Sequence, residues 1–159
     1  MIVDSRDFRD SLGRFATGVC VVTVQNEQGE PLGLTVNSFA SVSLDPPLIL
    51  WSLQNSSDVF SIYSNAQRFA INILSAQQRD LAGMYAQRGG HSIDPAQLED
   101  STSDYPILQD SLASMQCEVH TTHDGGDHLI IVGKVLAHQR RAVGEPLLFY
   151  SGDYGTLAS

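Results

Sequence analysis

Short apolar runs separated by turn residues dominate the pattern along this chain. Runs rich in β-branched residues are typical of strands, and they cover residues 19–24, 32–36, 48–53, 68–74, 115–121, 128–135 and 146–150. The turn Asp124-Gly125-Gly126-Asp127 joins two of these runs and predicts a tight hairpin. Helical spacing is limited to residues 5–15, to about residues 59–64 and to the stretch after Ser75. Many short strands with few helices predict a mainly β protein, built as a closed antiparallel barrel.

Two segments outside the strands carry further expectations. In residues 5–15, Phe8, Leu12 and Phe15 recur at i, i+4 and i+7, and Ser5 can cap the helix. We expect this apolar stripe to pack on the core. Residues 88–105 have no period and contain two glycines and a proline, which predicts a long loop. Such a loop either closes over a site or is a tolerated insertion.

A polar segment, residues 35–47, interrupts the apolar pattern. It brings hydroxyl and amide side chains close together in the chain: Thr35, Asn37, Ser38, Ser41 and Ser43. Neutral donors and acceptors can hold an anionic ligand without the cost of burying a full charge. The same residue types also favour turns and local backbone bonds. The residues alone therefore leave two interpretations open, a binding surface and an ordinary loop.

Composition narrows the class of protein. The 159 residues are 42% hydrophobic and 17% charged, which is typical of an ordered globular protein, and we expect residues 1–159 to form a single domain. The formal net charge is -9 and Lys134 is the only lysine, which argues against nucleic acid as a partner. An anionic cofactor would need a local Arg or His, backbone amides or a helix N-terminus.

The sequence also bears on location and on the two cysteines. We find no secretory signal and no apolar run long enough to cross a bilayer, so we expect a cytoplasmic protein without a membrane partner. Cys20 and Cys117 fit no C-x-x-C pattern and lie in strand-like runs. We expect two buried free thiols.

A dense group of possible metal ligands comprises His120, His123, Asp124, Asp127 and His128. On an extended strand His120 and His123 point to opposite faces, because an odd spacing reverses the side chain. We therefore predict no metal site. His128 follows a tight turn, where its side chain either projects over the barrel mouth or lies on the surface beside Asp127.

The segment 54–58 precedes a short predicted helix. Ser56 or Ser57 would cap that helix, and its first-turn amides could receive a phosphate. Asp58 supports simple capping instead, because its carboxylate satisfies the helix dipole and would repel a second anion. No G-x-G-x-x-G, Walker or G-x-S-x-G motif is present, so a nicotinamide would not be held in a Rossmann manner.

Five motifs in order resemble those of the short-chain flavin reductases, the reductase components of two-component flavin-dependent monooxygenases in the flavin reductase-like domain family. They are residues 8–19, residues 33–47, residues 69–74, Gly126-Asp127-His128, and residues 146–150 with 152–154. Together they span nearly the whole chain. The resemblance implies a six-stranded antiparallel Greek-key split β-barrel with a few peripheral α-helices, and a homodimer with flavin near the subunit interface.

The resemblance also implies site residues. The flavin is expected to contact Thr35, Asn37, Ser38, Ser41, Val42 and Ser43, with Ser56 and Ser57 on the phosphate side. His128 matches a residue associated with nicotinamide binding, and Tyr154 is a further pocket contact. Asp58 departs from the family pattern and puts the phosphate-side assignment in doubt.

The implied reaction is hydride transfer from NADH or NADPH to FMN or FAD. It needs alignment of the two cofactors more than a protein acid or base, so we predict no acid–base residue. Reduced flavin would then diffuse to a partner monooxygenase. Two other functions remain open: a flavin-bound oxidoreductase of the same fold acting on another substrate, and a non-catalytic flavin carrier.

Overall fold

The computed structural model describes residues 2–158. Within that range ten strands form: β1 (Thr17–Gly18), β2 (Cys20–Gln25), β3 (Pro31–Val36), β4 (Ala40–Leu44), β5 (Pro47–Gln54), β6 (Arg68–Ile73), β7 (Ala113–Asp124), β8 (His128–Arg140), β9 (Leu148–Tyr150) and β10 (Asp153–Gly155). The helices are α1 (Ser5–Leu12), α2 (Phe60–Asn65) and α3 (Arg79–Tyr85), with 3-10 turns at Ala76–Gln78 and Pro95–Gln97. Among these residues, no helix has the length and apolar character needed to cross a membrane.

The main sheet contains seven antiparallel strands in the order β3-β2-β6-β7-β8-β5-β4. Strands β7 and β8 form the predicted hairpin, with Asp124 opposite Leu129. Strands β1, β9 and β10 form a separate small sheet. The mainly β, antiparallel class is confirmed, but the prediction of six strands is wrong. The strand β4 lies inside the polar segment 35–47, where its largely exposed residues show no apolar alternation.

The prediction of a closed barrel is also wrong. In residues 2–158 the edge strands β3 and β4 do not pair, although the step from Val36 to Ala40 can span at most about 14 Å. The outer edge of β3 bonds to a distant segment instead. Gly33 N–H donates to the His91 carbonyl at 2.8 Å, and Ile93 N–H donates to the Pro31 carbonyl at 3.1 Å. The short step along the chain keeps the end of β3 near the start of β4, but these two edges stay unpaired in the described residues, which leaves the sheet open between them.

Strand β2 separates two hydrophobic clusters, because successive side chains of a strand point to opposite faces. Cys20, Val22 and Val24 face one cluster, whereas Val19 and Val21 face the other. The first cluster also contains Trp51, Tyr63 and Phe69, and the second contains Leu74, Tyr85, Leu108 and Leu147. The two clusters hold the sheet between them and fix the position of the segments that surround the opening.

Helix α1 differs from its prediction in three ways. Asp4 caps it in place of Ser5, since its Oδ1 accepts from Arg6 N–H at 3.1 Å and Asp7 N–H at 2.9 Å. The helix ends at Leu12, and every residue of it lies outside the core. Phe8, Leu12 and Phe15 are 52%, 58% and 79% exposed. The stripe is real, but the prediction that it packs on this chain's own core is wrong.

The segment 88–105 is packed rather than loose. His91, Ile93 and Leu98 are buried, and Leu98 forms a bridge with Leu108. The buried side chain of Asn72 holds this bridge from outside the segment, because its Oδ1 accepts from Leu108 N–H at 2.9 Å and its Nδ2 donates to the Val21 carbonyl at 3.1 Å. These contacts do not support a mobile loop.

Candidate functional site

The opening in the sheet forms a cleft of about 470 Å³, a size typical of small-molecule sites. It lies where β4 leaves β5, since their pairing ends with Ala40 opposite Leu50. Beyond that point the Ser38 hydroxyl takes the place of a strand: it accepts from Ser52 N–H at 2.9 Å and lies 3.3 Å from the Ser52 carbonyl. The lining residues are Leu34, Thr35, Val36, Asn37, Ser38, Ser52, Gln54, Ser56, Ser57, Asp58, Ala86, Arg88, His91 and His128.

Six of the predicted site residues line this cleft. They come from three separate parts of the chain: Thr35, Asn37 and Ser38, then Ser56 and Ser57, and finally His128. The hydroxyl of Thr35 donates to the Ala82 carbonyl at 2.6 Å, so its hydrogen is engaged while its oxygen can still accept. The fold thus brings together neutral polar groups that the sequence places almost a hundred residues apart.

The other four predicted flavin contacts lie elsewhere. Ser41, Val42 and Ser43 are on the edge strand β4, outside the cleft lining. A bulge at Val42 interrupts the pairing with β5 between Ser41 and Ser43, and such bulges change the direction of side chains. Tyr154 packs edge-on to Phe149 at 5.5 Å and belongs to the second hydrophobic cluster. In this chain, therefore, neither β4 nor Tyr154 contributes to the cleft.

Two side chains in the cleft, one arginine and one histidine, were missed from the sequence. Arg88 donates from Nη2 to the Ser56 carbonyl at 2.8 Å, which holds its guanidinium beside the segment 54–58. His91 has its Nδ1 2.9 Å from the Gly33 carbonyl and its Nε2 2.9 Å from Asp58 Oδ1. The only signal in the sequence was the requirement for a local Arg or His near an anionic cofactor. Neither periodicity nor motif marked these two residues.

Asp58 lies at the same end of the cleft and joins the two segments. Its Oδ2 accepts from Gly89 N–H at 2.8 Å, and its Oδ1 accepts from His91. The Gly89 hydrogen bond, followed by the hydrogen bond and charge of His91, lowers the pKa of Asp58 against the opposing effect of desolvation. The carboxylate that appeared to oppose an anion is thus occupied by partners in the segment 89–91.

His128 begins β8 at the other side of the cleft, with 39% of its side chain exposed. Its Nδ1 lies 2.6 Å from Asp127 Oδ1, and this hydrogen bond lowers the pKa of the Asp127 carboxyl. The turn that presents His128 is tied to the segment 54–58, because Asn55 N–H donates to the Asp127 carbonyl at 2.9 Å and Asn55 Nδ2 donates to the Gly126 carbonyl at 3.1 Å. Two sides of the cleft are therefore mechanically connected.

The histidine-rich hairpin and the cysteines lie apart from this chemistry. In the described part of the chain, no three His, Cys, Asp or Glu side chains are placed to hold a metal ion. His123 Nε2 instead lies 3.0 Å from the Thr121 hydroxyl on the exposed part of β7. Cys20 and Cys117 are buried free thiols, and burial raises the pKa of each to about 12. Such thiols are chemically inert at neutral pH.

Comparison with known proteins points to one family. The model of the flavin reductase like domain matches residues 12–158. The chain is 47% identical over 152 residues to the FMN reductase (NADH) SmoA of Agrobacterium fabrum, covering 96% of this chain and 86% of that protein. It is 41% identical over 155 residues to the reductase component of the flavin-dependent trigonelline monooxygenase of Acinetobacter baylyi, covering 96% of this chain and 49% of that longer protein.

Among solved structures, the chain is similar to the NADH:FAD oxidoreductase SgcE6 of Streptomyces globisporus in complex with NAD and FAD fragments. The TM-score is 0.85 and the identity 34%, with 99% of this chain and 97% of that chain covered. The family inferred from the five motifs is thereby confirmed.

Proposed function

Because this chain belongs to the flavin reductase-like domain family, we propose that it is an NAD(P)H-dependent flavin reductase that transfers hydride from NADH or NADPH to FMN or FAD. The observation that carries the proposal is the convergence of Thr35, Asn37 and Ser38 with Ser56, Ser57 and His128 in one cleft. The relatives named FMN reductase (NADH) and NADH:FAD oxidoreductase support the same reaction.

The residues of the cleft suit a flavin. When bound, the flavin supplies the ring that accepts the hydride. Thr35, Asn37 and Ser38 would hold the ring and ribityl chain with neutral hydrogen-bonding groups. Ser56, Ser57 and Arg88 would hold the phosphate, because a guanidinium with further free N–H donors pairs well with phosphate oxygens. This assignment, made within one chain, does not include Ser41, Val42, Ser43 or Tyr154.

His128 is proposed to bind the nicotinamide substrate beside the flavin. The hydrogen bond between its Nδ1 and Asp127 fixes the orientation of the ring, and Asn55 holds the turn below it. A fixed imidazole can orient the nicotinamide for transfer without giving or taking a proton itself. No acid–base residue is assigned, since the hydride passes directly between the two cofactors.

The protein is proposed to be a homodimer. Support comes from three exposed apolar side chains, Phe8 and Leu12 of α1 and Phe15 just after it, which have no packing partner among residues 2–158 that would bury them. Leu44 on the edge strand β4 is 97% exposed and adds a further apolar residue at the surface. Apolar groups of this number on a surface are typical of protein interfaces.

The reduced flavin is proposed to leave the cleft and serve a separate flavin-dependent monooxygenase. The trigonelline monooxygenase reductase component among the relatives supports this partner class. We also propose that residues 1–159 form one flavin reductase-like domain, located in the cytoplasm. The family match over residues 12–158 supports the first statement, and the two buried free thiols suit a reducing compartment.

A turnover assay tests the function. The purified protein is mixed with NADH or NADPH and an excess of FMN, FAD or riboflavin. The oxidation of NADH or NADPH is followed by absorbance. We expect oxidation that depends on both protein and flavin and that exceeds the rate without protein. Tight flavin binding without turnover in any pairing would contradict the reductase and favour a flavin carrier.

A further inference from the structure

A carboxylate stands where the phosphate of a ligand is expected to bind. Asp58 lines the cleft next to Ser56 and Ser57, and 28% of its side chain is exposed. An uncompensated carboxylate at this place would repel phosphate, and the chain as a whole already carries a formal charge of -9. A cleft that accepts phosphate therefore needs a compensating positive charge held close to Asp58.

The surroundings of His91 define the protons on its ring. Its side chain is only 6% exposed, so protein atoms must satisfy both ring nitrogens. Nδ1 lies 2.9 Å from the Gly33 carbonyl, which can only accept, so Nδ1 carries a hydrogen. Nε2 lies 2.9 Å from the Asp58 carboxylate, which also accepts when ionised. An imidazole that donates from both nitrogens is an imidazolium, so these two contacts favour the pair His91⁺ with Asp58⁻.

The backbone holds this pair in place. Gly33 donates its N–H to the His91 carbonyl at 2.8 Å, so His91 contacts both backbone polar groups of one β3 residue. Gly89 N–H donates to the second oxygen of Asp58 at 2.8 Å. The ring can therefore not turn away from Asp58 without breaking contacts to β3.

The charge that remains at this end of the cleft belongs to Arg88. With Asp58 balanced by His91, the guanidinium of Arg88 gives the group around Ser56 and Ser57 a net positive charge. Without the charge on His91, Asp58 would cancel Arg88, and the phosphate end of the cleft would be neutral.

We propose that His91 is a specificity-determining residue, which neutralises Asp58 and thereby makes the cleft select phosphorylated flavins, FMN and FAD, over riboflavin. This inference rests on the proposed function, because it concerns the flavin site of the reductase. His91 acts through Asp58 and is a positioning and charge-balancing residue, not a catalytic one.

The test compares two flavins that differ by a phosphate. FMN and riboflavin are titrated into the wild type and into His91→Gln, which can still donate hydrogen bonds but carries no charge. We expect the Kd for FMN to rise about tenfold, from the loss of one nearby charge, and the Kd for riboflavin to stay within about twofold. His120→Gln, a matched change at an exposed position, should leave both Kd values unchanged.

A double variant distinguishes the loss of the charge on His91 from a loss of local structure. Asp58→Asn removes the charge that His91 balances, so Asp58→Asn combined with His91→Gln should recover most of the preference for FMN. Asp58→Asn alone should keep or increase that preference. Thermal melting shows whether His91→Gln folds. If it does not, Asp58→Asn alone tests the inference, and a weaker preference for FMN in Asp58→Asn would contradict it.

The outcomes distinguish this inference from the function on which it rests. A wild type that binds neither flavin would contradict the proposed function itself. The inference alone would be overturned if the wild type binds and reduces flavin but His91→Gln weakens the binding of FMN and riboflavin equally. His91 would then have only a structural role.

Discussion

Single residues in and next to the cleft also maintain the fold. Ser38 satisfies the Ser52 amide where β4 leaves β5, and Thr35 donates to the Ala82 carbonyl. Asn55 holds the turn that presents His128. Because these groups are fixed by the fold, the cleft is organised before a ligand arrives, which reduces the entropy lost on binding.

Replacing His128 should weaken the use of the nicotinamide substrate without weakening flavin binding. We expect His128→Ala to raise the KM for the nicotinamide about tenfold, the cost of losing one hydrogen bond to the substrate, with the Kd for flavin within about twofold. Steady-state kinetics and flavin titration measure the two quantities. His123→Ala on the exposed part of β7 is the control. Unchanged nicotinamide kinetics in His128→Ala would remove this residue from the site.

Replacing Arg88 should weaken only the contribution of the flavin's phosphate group to binding. Arg88→Gln is expected to weaken FMN binding about tenfold and to leave riboflavin binding unchanged, because only FMN carries a charge for the guanidinium to pair with. Quenching of the flavin's own fluorescence on titration with the protein reports binding. Arg68→Gln, at an exposed pair with Asp104, is the control. Equal weakening of both flavins would contradict this role.

The residues of the site were predictable to different degrees. The family motifs located Thr35, Asn37, Ser38, Ser56, Ser57 and His128 in the cleft, whereas Ser41, Val42, Ser43 and Tyr154 lie outside it. Arg88 and His91 were missed, because their place depends on contacts to Ser56 and Gly33, far away in the chain. Side chains whose role arises from a distant contact leave no local pattern.

At the scale of elements, the opening in the sheet follows from the partners that bond to the outer edge of strand β3. Residues 91–93 bond to β3 and so take the place that β4 would need to close the barrel. Seven of the ten strands were predictable from their apolar runs, whereas β1 and β10 are too short to leave a pattern. The strand β4 was not predictable, because an exposed edge strand has no buried face and therefore no alternation to detect.

The buried network around Asn72 should anchor Leu108, whose bridge with Leu98 holds the segment 88–105 against the core. Asn72→Ala leaves Leu108 N–H without its acceptor in the core, and we expect the free energy of unfolding to fall by about 3 kcal/mol. Urea denaturation followed by Trp51 fluorescence measures it. Asn65→Ala removes one exposed bond to Ser61 and should cost less than about 0.5 kcal/mol. Equal losses in the two variants would contradict the anchoring role.

At the scale of the whole molecule, the apolar stripe Phe8, Leu12 and Phe15 remains exposed among residues 2–158. An amphipathic pattern predicts that a face is buried but not against which surface, so the sequence could not distinguish the core from a second subunit. The exposure of Phe8, Leu12 and Phe15 favours the second subunit.

A charge in this stripe should disrupt the proposed dimer. We expect Leu12→Glu to shift the mass in solution from dimer to monomer, because a buried carboxylate without a partner is costly at an apolar interface. Light scattering after size-exclusion chromatography measures the mass. Val143→Glu, at a position that is 84% exposed on a different part of the chain, is the control. A wild type that is monomeric at micromolar concentration would contradict the dimer.

A crystal structure of the protein with FMN tests the central claim most directly, because it locates the ligand. We expect flavin density in the cleft between β3 and β5, with the phosphate at Ser56, Ser57 and Arg88 and with His128 facing the open side of the ring. Flavin bound at another surface, with this cleft empty, would contradict it.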